Sequence, residues 1–183
     1  MAQRPELADE VLRPLAETHV TYEVRELLAA VVVPDWPPIL VGDPSLLVVR
    51  FDVWITHVRL EAVMVHLRCI YAFLTGIGAY ENDVIAADYF SKDDGWTPPP
   101  FVMGGSVEKQ KEIIDNINRR VHHIGQQRLV PFTWADALPH IPVVAEHFTQ
   151  FVESLVLKGH SDRAAWFSEA VECAKSLAGL RGA

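Results

Sequence analysis

Apolar side chains recur at three- and four-residue intervals along most of this chain, and no stretch alternates apolar and polar long enough to make a sheet. The periodicity predicts a first helix from Glu6 to about Val32, rich in Leu, Ala and Glu, which Pro14 breaks or kinks early. Pro34-Asp35-Trp36-Pro37-Pro38 then stops it in a short rigid connection. Asp43-Pro44-Ser45 starts the most apolar element. Asp43 suits an N-cap, Pro44 suits the first turn, and the helix is expected over Ser45 to about Leu74, ahead of Gly76 and Gly78. At ~1.5 Å per residue it is on the order of 45 Å long. Its apolar positions run almost all round, interrupted by one polar stripe with Arg50, His57, Glu61 and Arg68. A second stripe carries Asp52, Arg59 and His66 beside Ile55, Val63, Ile70 and Phe73. Such a helix is covered on more than one side and belongs at the centre of a bundle.

Asn82 to Phe90 is expected to form a short helix, followed by a loop from Lys92 to Gly105 that contains Trp96 and Pro98-Pro99-Pro100. Ser106 caps the next helix, to about Leu129, with Glu108 in its positive first turn. A turn beginning at Thr133-Trp134-Ala135-Asp136 is cut by Pro139 and Pro142. Val143 to Leu157 is an amphipathic helix ended by Lys158-Gly159, and Ser161 or Asp162 caps a last helix to about Leu180. The expected fold is all-α: a bundle of four to five principal helices with a long central helix, in a single domain over residues 1–183.

Half of the residues are hydrophobic and the mean hydropathy is +0.13, which is rich for a soluble monomer of this size. A covering partner is expected, most simply a second copy in a homodimer. The formal charge of −8 argues against broad electrostatic capture of nucleic acid or of an anionic membrane, while leaving room for a small local basic site. The first ten residues hold no apolar signal core, and the apolar run from about Val53 to Leu74 is interrupted by His57, Arg59, Glu61, His66 and Arg68. No membrane partner and a cytoplasmic location are therefore expected. Cys69 and Cys173 lie far apart in apolar helical contexts and read as reduced, buried thiols.

Candidate chemistry concentrates on the Ser106–Leu129 helix. Ile114, Ile117, Val121, Ile124 and Arg128 share one seam, with Asn118 and His122 flanking it one turn apart. Asn116, Arg119, Arg120, His123 and Gln127 lie mainly on the other side. His123 is one turn beyond Arg119, so an acid–base group and a phosphate-binding fork can reach one ligand oxygen together. On the central helix, His66 and Arg59 face the expected core and need partners, with Asp83, Asp88 and Asn118 as candidates. A binding site made by His66, Arg68, Asn118, His123 and Arg128 is one arrangement these positions allow. Adjacent His122 and His123 point about 100° apart on a helix and cannot chelate as an i, i+4 pair does, so no metal and no cofactor are expected. GxSxG, GxGxxG and GxxxxGK patterns are absent from the sequence.

The all-α pattern with Asn118-Arg119-Arg120-Val121-His122-His123 on a helix of its second half resembles the HEPN superfamily. The chain also looks like a group of bacterial helical proteins through His66-Leu67-Arg68 on the earlier helix and Ile117-Asn118-Arg119, His123-Ile124 and Arg128 on the later one. The resemblance covers roughly Ser45 to Trp134. It implies small helical domains that often pair as dimers and whose active members are metal-independent ribonucleases. Three residues separate Arg119 from His123, whereas the ribonuclease motif has a wider gap. Arg59 to His66 and Arg50 to His57 have that wider gap. Two functions follow as expectations. The first is a noncatalytic binding or scaffold domain, with Trp96, Trp134 and the Pro-rich loop lining a groove. The second is a ribonuclease in which His123 exchanges protons while Arg119 and Arg120 stabilise charge on an RNA or nucleotide ligand.

Equilibrium ultracentrifugation at micromolar concentration should return the mass of two chains. A clean value near one chain, 20.5 kDa, would contradict the expected homodimer.

Overall fold

The computed structural model describes residues 6–32, 44–77, 79, 82–98 and 137–179, and over 44–57 it describes the helical path alone. The described chain is all-α, with no strand among the described residues. Helix α1 (Asp9–Pro14) runs into a π-helical segment (Leu15–Val20) and then into α2 (Thr21–Val32), so the predicted first helix exists as one rod with a widened middle. Pro14 has no N–H to return to the preceding turn, and its ring crowds the carbonyl one turn back, which favours a change of winding there. The looser turn is locked from both ends. Tyr89, fully buried, donates its hydroxyl to the Leu12 carbonyl at 3.0 Å, and the buried Thr21 donates its hydroxyl to the Ala16 carbonyl at 2.8 Å. The Thr21 amide donates to the same Ala16 carbonyl, the five-residue bond that defines π winding.

The long helix α3 (Pro44–Thr75) matches its expected bounds closely. Gly76 ends it at φ +70°, a conformation that favours glycine, and its N–H returns to the Ala72 carbonyl at 2.8 Å. Leu60, Val63, Met64, Leu67, Ile70, Tyr71, Phe73 and Leu74 are all buried and take up about half of the helix circumference, while the opposite half, with Glu61, Ala62, Val65, Arg68, Cys69 and Ala72, is more open. Helix α2 packs against α3, presenting Val24 and Leu27 on one face. Arg59 of α3 caps the end of α2: its Nε donates to the Ala30 carbonyl at 3.2 Å and its Nη2 to that of Val31 at 3.4 Å. A cation on the last carbonyls of a helix also suits the negative end of the helix dipole.

Residues 86–89 form only a 3-10 turn (Ala86–Tyr89), shorter than the helix expected over Asn82–Phe90, and Asp88 accepts the Ile85 N–H at 2.8 Å to close it. A second 3-10 turn (Leu138–His140) leads into α4 (Ile141–Leu157), which tolerates Pro142 in its first turn where no N–H is needed. At its end the His160 N–H reaches back to the Leu155 carbonyl at 2.8 Å and the Gly159 N–H to that of Val156 at 3.1 Å, with Gly159 at φ +84°. That is a Schellman ending. The single last helix expected from the sequence is in fact two, α5 (Ser161–Ala165) and α6 (Ser168–Ala178). The break lets Phe167 turn fully inward.

The core is an aromatic cluster between α3, α4, the 86–89 turn and the α5–α6 break. Phe73 meets Phe151 edge-on at 5.4 Å between centroids and Tyr89 at 5.9 Å, while Phe151 and Tyr89 each meet Phe167, at 5.2 and 5.0 Å. Such edge-to-face pairs add to the burial of the rings themselves. On α6, Ala170 and Ala174 keep the face toward α4 shallow, which allows close packing of the two helices.

Replacing Phe73 with Ala should cost about 3–5 kcal/mol, from lost transfer energy and a residual cavity. Urea unfolding measures it. A variant as stable as the parent would show that the cluster does not hold α3 to α4.

Candidate functional site

A cavity of about 490 Å³ lies between the N-terminal rod, α3 and the segment just before the 86–89 turn. Leu15, His19 and Glu23 line it from the rod at four-residue intervals. On a regular α-helix, residues four apart drift by about 40° per step, and the wider winding of Leu15–Val20 takes up part of that drift. The opposite side comes from α3, where Arg68 and Ala72 form one row and Cys69 and Phe73 the next. Asn82, Asp83 and Ile85 close the third side. Gly76 lets this segment fold back: a Cβ there would stand 3.3 Å from Ile85 Cδ1, and the Asp88–Ile85 bond fixes the wall in place.

The polar centre of this region is Glu23. His66 Nδ1 lies 2.8 Å from Glu23 Oε2, with the imidazole set edge-on to Tyr22 at 5.8 Å. Cys69, one turn further along α3, stands close enough to feel the charge of the same carboxylate. His66 reaches Glu23 from α3 and helps fix its position. Burial, reinforced by the charge of Glu23, pushes the Cys69 thiol from its ordinary 9.0 up to about 11; Arg68 opposes the shift and Asp83 adds to it. The thiol is protonated at neutral pH and is not a nucleophile there. Burial also raises the Cys173 thiol. Both cysteines are unpaired in disulfide terms and only half-buried, more open than the sequence context suggested.

Of the residues singled out in the sequence, Arg68 stands on the cavity wall and His66 stands behind Glu23. They are two positions apart on α3 and so project to nearly opposite sides. Arg119, Arg120, His123, Asn118 and Arg128 lie outside the described residues, as do Trp134 and the Asp43 cap. His66 bonds Glu23, a partner the sequence did not suggest, and Arg59 bonds α2 carbonyls, while Asn118 lies outside the described residues. Among the described residues Arg59 and His66 have separate partners, and they lie roughly 10 Å apart along the helix axis. Glu23 had no distinguishing mark in the sequence, since an acidic residue on an amphipathic helix usually faces solvent.

Trp96 is half-buried at the core edge, and Trp134 and Pro99-Pro100, expected to line a groove with it, lie outside the described residues. Trp96 Nε1 donates to the Leu74 carbonyl at 2.8 Å, and its ring stacks on Phe90 at 5.8 Å. A polar pin outside holds the loop against the end of α4. Lys158 Nζ donates to the Asp94 carbonyl and, at 2.6 Å, to that of Gly95. His160 Nε2 lies 3.2 Å from Asp94 Oδ2, which also accepts the Ser91 hydroxyl at 2.6 Å. The Ser91 hydroxyl, then His160 and Lys158, hold the Asp94 carboxyl below its usual range. A second depression, lined by Asp9, Glu10, Arg13, Glu17, Asp162 and Trp166, is an open surface groove in which Asp9 pairs with Arg163 at 2.7 Å and Glu17 with Arg13 at 2.8 Å.

Among the described residues no group of His, Cys, Asp and Glu is arranged to hold a metal ion, and no helix is long and apolar enough to cross a membrane. Comparison with family models, with curated proteins and with solved structures gives no match. The chain is an all-α protein, and its described residues form a cavity beside the long helix α3 with Glu23 among its lining.

Cys69 should react with iodoacetamide about a hundredfold more slowly at pH 8 than an ordinary thiol, following its two-unit shift from 9.0 to about 11. Because the shift is upward, the protonated thiol contributes to stability below pH 9, and that contribution is lost as pH rises toward 11. Glu23→Gln removes the nearby charge and should speed alkylation. Peptide mass mapping separates Cys69 from Cys173, and free-thiol rates at Cys69 would contradict the burial.

Proposed function

We propose that this chain is a noncatalytic helical binding domain of HEPN-like type, working in the cytoplasm as a homodimer, with its ligand site in the cavity between the N-terminal rod and α3. The observation that carries the reading is the construction of that cavity. Apolar side chains make most of its wall, and one of its carboxylates, Glu23, is held from behind by His66. A concave, largely apolar site with a few fixed polar groups is the usual form of a small-molecule pocket. The pinned geometry supports binding over covalent chemistry, because the one thiol on the wall stays protonated. Val32, Val58, Val156 and Leu157 are exposed and supply apolar surface for a second copy.

The neutral fluorophore N-phenyl-1-naphthylamine should bind the parent with one site per chain. Ala72→Phe, which fills the cavity, should abolish binding while leaving the helical circular dichroism unchanged. In parallel, structured and single-stranded RNA incubated with the protein in excess chelator should stay intact. RNA cleavage that is lost in His123→Ala and kept in His122→Ala would replace this reading with a metal-independent ribonuclease using His123, Arg119 and Arg120.

A further inference from the structure

Resting on the cavity being a ligand site, we infer that its ligand is an amphipathic organic cation, an apolar body carrying a protonated amine. The shape of the wall sets the apolar part. Leu15, Val20, Ala72, Phe73 and Ile85 surround the space, and a ligand without an apolar body would leave them facing water. The charge pattern sets the head. Carboxylates reach the cavity from two separate elements, Glu23 from α2 and Asp83 from the segment before the 86–89 turn. Glu23 is acceptor-only when ionised, with more lone pairs than its contact with His66 occupies. Because His66 already holds it from behind, a ligand ammonium meets a group that loses little freedom on binding.

Arg68 is the opposing charge on the same wall. The balance can be read at Cys69, which sits between them. There the field of Glu23 exceeds that of Arg68, and Asp83 adds to the negative side. Two carboxylates against one guanidinium on the wall favour a cationic head over an anionic one. His19, one turn before Glu23 on the rod, is exposed at the rim of the cavity.

Three probes of nearly one shape separate the possibilities: 2-phenylethylamine, 2-phenylethanol and phenylacetate, titrated calorimetrically at low salt and neutral pH. The amine should bind roughly ten- to a hundredfold more tightly than the alcohol, the gain of a charged hydrogen bond, and the carboxylate more weakly than the alcohol. Glu23→Gln should erase the advantage of the amine over the alcohol. Gln can still accept from His66, so the α2–α3 contact persists. Asp83→Asn, at an exposed position, should reduce the advantage in part and serves if Glu23→Gln misfolds. Binding of N-phenyl-1-naphthylamine without preference for the amine, with preference for phenylacetate, or without binding of any phenyl probe overturns the cation and leaves the binding reading standing. Failure of the naphthylamine together with all three probes overturns both.

Discussion

Phe73 is where the stability of this protein and the shape of its cavity become one constraint. One side of the ring is held by Phe151, Tyr89, Phe148 and Phe167, drawing together α3, α4, the 86–89 turn and the α5–α6 break. The other side is cavity wall. The residue sits one turn beyond Cys69 on a helix whose winding is unbroken to Gly76, so the floor of the cavity inherits the rigidity of the aromatic cluster. Tyr89 extends the same constraint to the N-terminal rod through its bond to the Leu12 carbonyl, and its buried hydroxyl is held well above the usual phenol range by desolvation. The opposing wall is thus tied to the core by a hydrogen bond, and the near wall by packing.

What could be read in the sequence, and what could not, divides along the range of the interactions. Helix α3 was legible from end to end because Pro44 at its start and Gly76 at its end act through the local backbone, and its all-round apolar pattern speaks of central placement. The ending of α4 at Lys158-Gly159 was legible for the same reason. The π winding over Leu15–Val20 was not, because apolar spacing does not distinguish a five-residue bond from a four-residue one over a single turn. Only Pro14 pointed to irregularity there. The division of the last helix was hidden too. It depends on where Phe167 must go, which is set by rings on α3 and α4 far away in the chain.

The site was less legible than the fold. Arg68 stood out as a charge within an apolar helix, and it does line the cavity. His66 stood out likewise, but its role is given by Glu23, a residue 43 positions earlier that resembles any other surface acid. Trp96 looked available because it sits in a loop rich in Pro, Asp and Gly; what removes it to the core is one carbonyl at the end of α3 and the face of Phe90. Residues that matter through distant partners carry little sign of it in their neighbours.

The widened turn in the N-terminal rod also has a meaning for register. A π turn accommodates an extra residue relative to α winding, so α2 keeps about the rotational setting it would have on a continuous α-helix one residue shorter. Rewinding the same six residues as α-helix would turn everything after them by about 100°. Val24, Leu27 and Glu23 would then change face, and Glu23 would leave both the cavity and His66. Deleting one residue together with that rewinding would nearly restore the setting. For these six residues, then, count and winding are constrained together, and neither can change without the other.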